Sequence, residues 1–218
     1  MVKIYILPLK SIIMVKKNIE TINLDGGSLC LDFINTINDR FVSEPKDYLD
    51  NAQDLVKWAY RQKLLNNRYK KLLAYTEKHP QIAAEFLKNA KDIRNLLYDL
   101  FLYVSHTTEI KMEHLSAFNK ILPEYFSKLK LEVKDSVSSE SWNYKLDDLH
   151  IILAYILKDA YTLLLEAKLE RIGECPECGW LFIDKTKNGR RRWCNMQNCG
   201  SRVKSLEYYK RKKRENNT

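Results

Sequence analysis

"CPECGWLFIDKTKNGRRRWCNMQNCGSR", residues 175–202, holds four of the chain's five cysteines and four arginines within 28 positions. Cys175-x2-Cys178 and Cys194-x4-Cys199 lie 15 residues apart, the two-pair arrangement of a tetrahedral zinc site. A two-residue spacer makes a tight knuckle whose thiolates converge on one ion at about 2.3 Å. Pro176 and Gly179 suit that turn, and Asn198 and Gly200 suit the second pair, where positive φ is often needed. Four thiolates fill the tetrahedron and no histidine lies nearby, so the expected ion is a single structural Zn2+. Iron in the same geometry is the alternative metal, and disulfides or unrelated buried thiols are the metal-free reading. The fifth thiol, Cys30, stands alone on an apolar segment and is expected in a core.

About 40 residues cannot bury enough apolar surface to fold unaided, so the metal should supply much of this module's folding free energy. "GWLFID" and "RRRWC" are expected to form the arms of a β-hairpin on the ion, with Trp180, Phe182 and Trp193 as an aromatic cluster. Lys185, Lys187, Arg190, Arg191 and Arg192 would then project from its tip. Crowded like charges make sense where a polyanion neutralises them, since displaced counterions favour binding. Beyond the last cysteine, "GSRVKSLEYYKRKKR" reads as a helix with Ser201 as N-cap. Val203, Leu206 and Tyr209 or Lys210 trace a face that can lie on the zinc knuckle. Arg202, Lys204, Lys210, Arg211, Lys212, Lys213 and Arg214 are left for solvent or phosphate. A basic tail that merely solubilises the chain is the plainer reading.

Charge separates this end from the rest. From Arg171 onward 13 Lys/Arg face 5 Asp/Glu, whereas residues 1–170 carry 24 against 23. Nearly all of the net +9 therefore sits in the last 48 residues, the asymmetry of a nucleic-acid footprint or of an anionic membrane surface. No stretch approaches the roughly 18 apolar residues of a membrane span. The first 18 residues read as a ragged extension with a candidate strand, and Met14 is a candidate start. Without an export signal the chain is expected in the reducing cytoplasm, where paired cysteines hold metal more often than disulfides.

With 45% hydrophobic and 30% charged residues, the 218-residue chain supports one sizeable core and an appendage. It reads as mainly α, within the α+β class. "IETINL" is expected as a short strand closed by Asp25-Gly26-Gly27. Next comes a helix capped by Ser28, with Leu29, Phe33, Ile34 and Ile37 on one face. Leu49, Ala52, Leu55, Val56 and Ala59 stripe a second helix, and Pro80 stops a third. The longest helix should follow, with Ile82, Phe86, Ile93, Leu97, Leu100 and Val104 inward and Pro80 in its first turn. Another helix is expected to break at Pro123, before an antiparallel hairpin turning around "SVSS". A long apolar helix capped by Asp147 or Asp148 then runs to about Gly173. The boundaries follow: extension 1–18, helical domain 19–171, four-cysteine finger 172–214, tail 215–218.

The C-terminal stretch resembles the CGNR-type zinc finger, which joins C-x2-C to an "LFxDxS/TxN" segment, "RRWC" and a C-G-N-R signature. The signature is Cys199-Gly200-Ser201-Arg202 here, with Ser for Asn, an exchange that keeps a helix-capping side chain. The N-terminal part is similar to the companion ABATE domain through Gly26-Gly27 and Leu31-Asp32-Phe33-Ile34-Asn35-Thr36. Together the two resemblances span residues 19 to 212. They imply a bacterial stress-induced transcription regulator that binds nucleic acid, with double-stranded DNA the first expectation and RNA or a protein partner the alternative. Lys185, Lys187 and Arg190 to Arg192 would grip phosphate, while Arg202 and Lys204 would orient the terminal helix and Lys210 and Arg211 would extend the contact. The helical domain would act as a sensor or a homodimerisation platform. Asp32, Asn35, Thr36 and Arg40 are candidates to line an effector pocket, or else to tie neighbouring backbone. No P-loop, G-x-G-x-x-G, nucleophile elbow or H-E-x-x-H occurs, so no enzyme is expected.

Overall fold

The computed structural model describes residues 18–166 and 168–216. All but the last residue of the expected extension, with its candidate strand and Met14, lies outside the described residues, as do the last two positions of the tail. The helical body contains α1 (Leu29–Ile34), α2 (Ala52–Arg61), α3 (Tyr69–Lys78), α4 (Pro80–Thr107), α5 (Met112–Phe126) and α6 (His150–Glu166). A hairpin of β1 (Leu129–Lys134) and β2 (Val137–Trp142) separates α5 from α6. The C-terminal region holds β3 (Ile172–Glu174), β4 (Leu181–Ile183) and α7 (Ser201–Glu215).

Local chemistry sets the helix ends. Ser28 caps α1 by accepting from the Leu31 N–H, and Asn51 with Asp54 forms a reciprocal capping box on α2. Pro80 disfavours helical backbone at His79, so α3 stops at Lys78 and a new helix starts with proline in its first turn. At its far end α4 closes on Thr108 in left-handed conformation, φ 57°.

α4 is the axis of the body, packing against α1, α2, α3, α5, α6 and both C-terminal strands. Leu49, Ala52, Leu55, Val56 and Ala59 are buried as their spacing predicts, and Trp58 joins them. On α4, Phe86, Ile93, Leu97, Leu100 and Val104 are inward, but Ile82 is 50% exposed because the first turn overhangs a hollow rather than a neighbouring helix. α6 buries residues nearly all round, among them Ile151, Ile152, Leu153, Ile156 and Leu157, because α1, α4 and α5 enclose it. Cys30 is fully buried in this core.

Several expectations change. "IETINL" is a turn in which the Asn18 carbonyl accepts from the Thr21 and Ile22 N–H groups, not a strand. Ile37 lies beyond α1, which ends at Ile34. Pro123 sits inside α5 without ending it, since one missing donor near the C-terminus leaves the remaining turn intact. The hairpin reverses at Asp135 and Ser136, φ 48° and 63°, so only the first residue of "SVSS" is in the turn and the other three belong to β2. Two consecutive positive φ values match the right-handed strand twist. Asp148 does cap α6, accepting from the His150 N–H. That helix ends at Glu166, and Gly173 lies in β3 opposite Phe182, where a β-carbon would press 3.2 Å from the ring.

Candidate metal centre and nucleic-acid interface

β4 divides two cores. Leu181 points into the helical core, while Trp180 and Phe182 cluster with the four cysteines and the edge of Trp193. Alternation along an extended strand produces this split. One edge of β4 pairs with β3 in the register Ile172–Ile183, Gly173–Phe182 and Glu174–Leu181. Its other edge belongs to the helical domain. Asn35 Nδ2 donates to the Leu181 carbonyl at 2.8 Å and Asn35 Oδ1 accepts from the Leu181 N–H at 3.0 Å. The Ile183 N–H donates to the Gly26 carbonyl at 2.8 Å. "RRRWC" is therefore not the second arm of a hairpin, because its place beside β4 is taken.

The Sγ atoms of Cys175, Cys178, Cys194 and Cys199 all lie within 4.8 Å of one another, and all four residues are buried. Cys178–Cys194 and Cys194–Cys199 sulfurs are each 3.6 Å apart. Tetrahedral bonds of about 2.3 Å require sulfurs roughly 3.8 Å apart, so the donor set fits one structural Zn2+. Bound there, the ion would hold all four side chains as thiolates and leave no position for water. The first knuckle closes when the Gly179 and Cys178 N–H groups donate to the Cys175 carbonyl. Gly179 adopts φ 71°, and a β-carbon on it would lie 3.0 Å from that of Arg40. The knuckle thus needs glycine both for its turn and for its contact with the helical domain.

The second knuckle is capped by Asn195, whose Oδ1 accepts from the Gln197 and Asn198 N–H groups. A five-residue wide turn, Met196–Gly200, runs straight into α7. Ser201 is consequently the first residue of α7 and not its cap, and its Oγ donates to the Met196 carbonyl. α7 buries none of its residues, and Leu206 and Tyr209 are 51% and 68% exposed. Beyond the half-buried Val203, the apolar face expected to lie on the knuckle therefore projects into solvent with the cations. Only its root is tied down. Arg202 pairs with Glu177 at 2.6 Å and reaches Asp39 of the helical domain at 3.8 Å.

The candidate pocket residues are committed to protein partners. Asp32 accepts from the Gly26 N–H at 2.8 Å and from Gln62 at 3.2 Å. Burial, opposed by these bonds, pushes its carboxyl up to about 6. A β-carbon on Gly26 would meet the Asp32 amide at 2.8 Å. Thr36 Oγ1 donates to the Phe33 carbonyl and accepts from Arg94, which also grips Asp47 bidentately at 2.7 and 2.8 Å. The Arg40 guanidinium donates to the Ile34 carbonyl and lies 3.7 Å from the centre of the Tyr98 ring, while its backbone N–H donates to the Cys178 carbonyl. Burial lowers its pKa to about 10. The adjacent Trp180 indole donates to the Ile37 carbonyl at 2.6 Å. The segment from Gly26 to Arg40 is thus the seat of the finger. Beside it a cavity of about 330 Å3 opens between Asp25, Asn38 and Asp39 on one side and Trp180, Asn198 and Arg202 on the other.

The five loop cations separate into two sets. Arg191 turns inward, stacking 4.5 Å from the Phe182 ring centre. It donates to the carbonyls of Trp193, Ile183, Asp25 and Cys194. Lys185 reaches back to the Gly27 carbonyl at 2.8 Å. Lys187, Arg190 and Arg192 remain exposed around an open cleft that also exposes Met196 and the edge of Trp193. Four positions were not singled out in the sequence as site residues. Asp25 binds Asn195 and Arg191; Asp184 accepts from the Arg191 and Thr186 N–H groups. The asparagine one residue after Cys194 was the available signal for the cap; nothing local marked Asp25.

A buried four-cysteine centre, seated on a helical body and followed by an exposed cationic helix, defines a zinc-finger protein whose finger is docked on its neighbour. Residues 171–212 match the CGNR zinc finger model. Residues 27–167 match the ABATE model, described as "Putative stress-induced transcription regulator". The chain belongs to the ABATE family and carries a CGNR zinc finger at its C-terminal end. No curated protein matches it.

Proposed function

We propose that this chain is a regulator that binds duplex DNA through the finger, with the helical domain as its rigid mount. The observation that carries this reading is α7. Its cations, Arg202, Lys204 and Lys210 to Arg214, stand on a helix with no buried residue. A 15-residue helix that buries none of its residues and is tied down only at its root spans about 22 Å, enough to lie in a major groove. Lys187, Arg190 and Arg192 would meet flanking phosphates, with Lys185 close behind. Arg202 and Lys204 near the root would set the helix's direction. Sensing of an effector and pairing of two copies across half-sites are roles the helical domain would take on this reading.

Fluorescence anisotropy with a random-sequence duplex tests it. Affinity should fall steeply with salt, and replacing Lys210 and Arg211 with Ala should flatten the slope by about 2. Salt-independent binding, or none, would reject it. A second reading rests on Trp193, whose ring edge lines the cationic cleft with the Arg192 guanidinium 5.4 Å from its centre. Aromatic and cation side by side suit base stacking on single strands, and preference for single-stranded RNA in a competition assay would favour it.

A further inference from the structure

At the opposite end of α4 from the finger lies a hollow of about 460 Å3, within the usual size range of small-molecule sites. Its walls are Tyr75, Ile82, Phe86, Tyr144 and Leu149. Ile82 carries the inward signature of its helix yet faces this space instead of protein, which leaves an aliphatic side chain half-exposed. The wall is braced from behind, because Arg68 donates to the Tyr144 carbonyl at 3.0 Å and to the Lys145 carbonyl. The site therefore exists before any occupant arrives.

Charge at the rim decides the occupant. Lys128 and Lys145 line the hollow and form no ion pair among the described residues. His150 binds Asp148 through Nδ1 at 2.9 Å and packs edge-on against Phe86. That hydrogen bond raises the imidazole pKa despite partial burial. Asp148 is thus engaged by His150, and Asp147 is the one rim carboxylate without an ion partner among the described residues. Burial pushes the Tyr144 phenol well up.

We propose that this hollow binds a small organic carboxylate with an aromatic or branched apolar body, the body against Ile82 and Phe86 and the carboxylate between Lys128 and Lys145. The site is separate from the cationic finger and does not depend on the nucleic-acid reading. Sodium phenylacetate is the probe, titrated into the full chain while the Ile82 methyl resonances are followed by NMR. A saturable shift with Kd of about 1 mM or tighter is expected. Replacing Lys128 and Lys145 together with Ala should weaken it at least about tenfold; both changes sit on exposed positions. L-phenylalanine separates the sources of this chemistry: tighter binding places an ammonium on Asp147, and weaker binding assigns the site to simple acids. No saturable shift up to about 10 mM, or equal affinity in the double-lysine variant, overturns the proposal, and the unsubstituted chain decides the matter even if a variant fails to fold.

Discussion

The helical body and the finger are held by different forces although they share one strand. The body buries a continuous apolar core running from Ile19 through α1–α6 to Leu181. The finger has, besides its four cysteines, only Trp180, Phe182 and part of Trp193. Burial at roughly 25 cal/mol per Å2 sustains the first; the second needs an ion and a neighbour. The seam supplies the neighbour through Asn35, Gly26, Asp25, Arg40 and the Ile37 carbonyl, which together satisfy the free edge of β4 and both knuckles. A finger too small to fold alone thereby acquires a fixed orientation.

The largest expected effect separates the two regions outright. Cys194→Ser, or chelation, should cost the finger most of the metal contribution, about 10 kcal/mol or more. Trp180 and Trp193 fluorescence should shift while far-UV circular dichroism keeps the helices of the body. Joint loss of both signals would break the division. Cutting the seam is next. Asn35→Ala strips both Leu181 backbone groups of their partner and should cost about 2–4 kcal/mol, read by urea unfolding. No change would mean that β4 needs no support from the body.

A smaller effect tracks pH. Asp32 is raised from 3.8 to about 6, chiefly by burial, so between those values the folded chain holds a proton that the unfolded chain releases. Stability should therefore fall by about 2–3 kcal/mol as pH rises from about 4 to about 6, then level off. Asp32→Asn should remove that decline, and an unchanged slope would assign it to other groups. Neighbouring arginines give the finest comparison. Arg191→Ala should lower stability by about 1–3 kcal/mol through its lost carbonyl bonds. Arg192→Ala should leave stability within about 0.5 kcal/mol and reduce the salt slope of DNA binding by about 1. If both lower only the slope, the inward role of Arg191 fails.

Much of the metal centre was legible because ligand spacing is a local property: a two-residue knuckle closes on itself wherever it occurs, and Cys175 to Cys199 needed only to find one ion. The helices were legible for the same reason, their periodicity and caps lying within a few residues of each other, as at Ser28 and Pro80. The finger's pairing was not. Nothing in "RRRWC" says that a side chain from 146 residues upstream holds the edge of β4, or that Arg191 faces in while Arg190 and Arg192 face out. Likewise, the polar letters of "LDFINT" are equally compatible with a ligand pocket and with a docking seat until the finger is in place.

By itself the amino-acid order determined a helical body, a four-thiol staple and a cationic end, since each follows from composition or from spacing along the backbone. Only the tertiary structure decided what those parts do to one another: that Asn35 completes a distant strand, that Asp25 and Asp184 hold the loop, that α7 stands clear of the protein beyond its root. Hydrogen bonds between segments far apart in sequence depend on where the whole core places their backbones, and no local pattern encodes that distance.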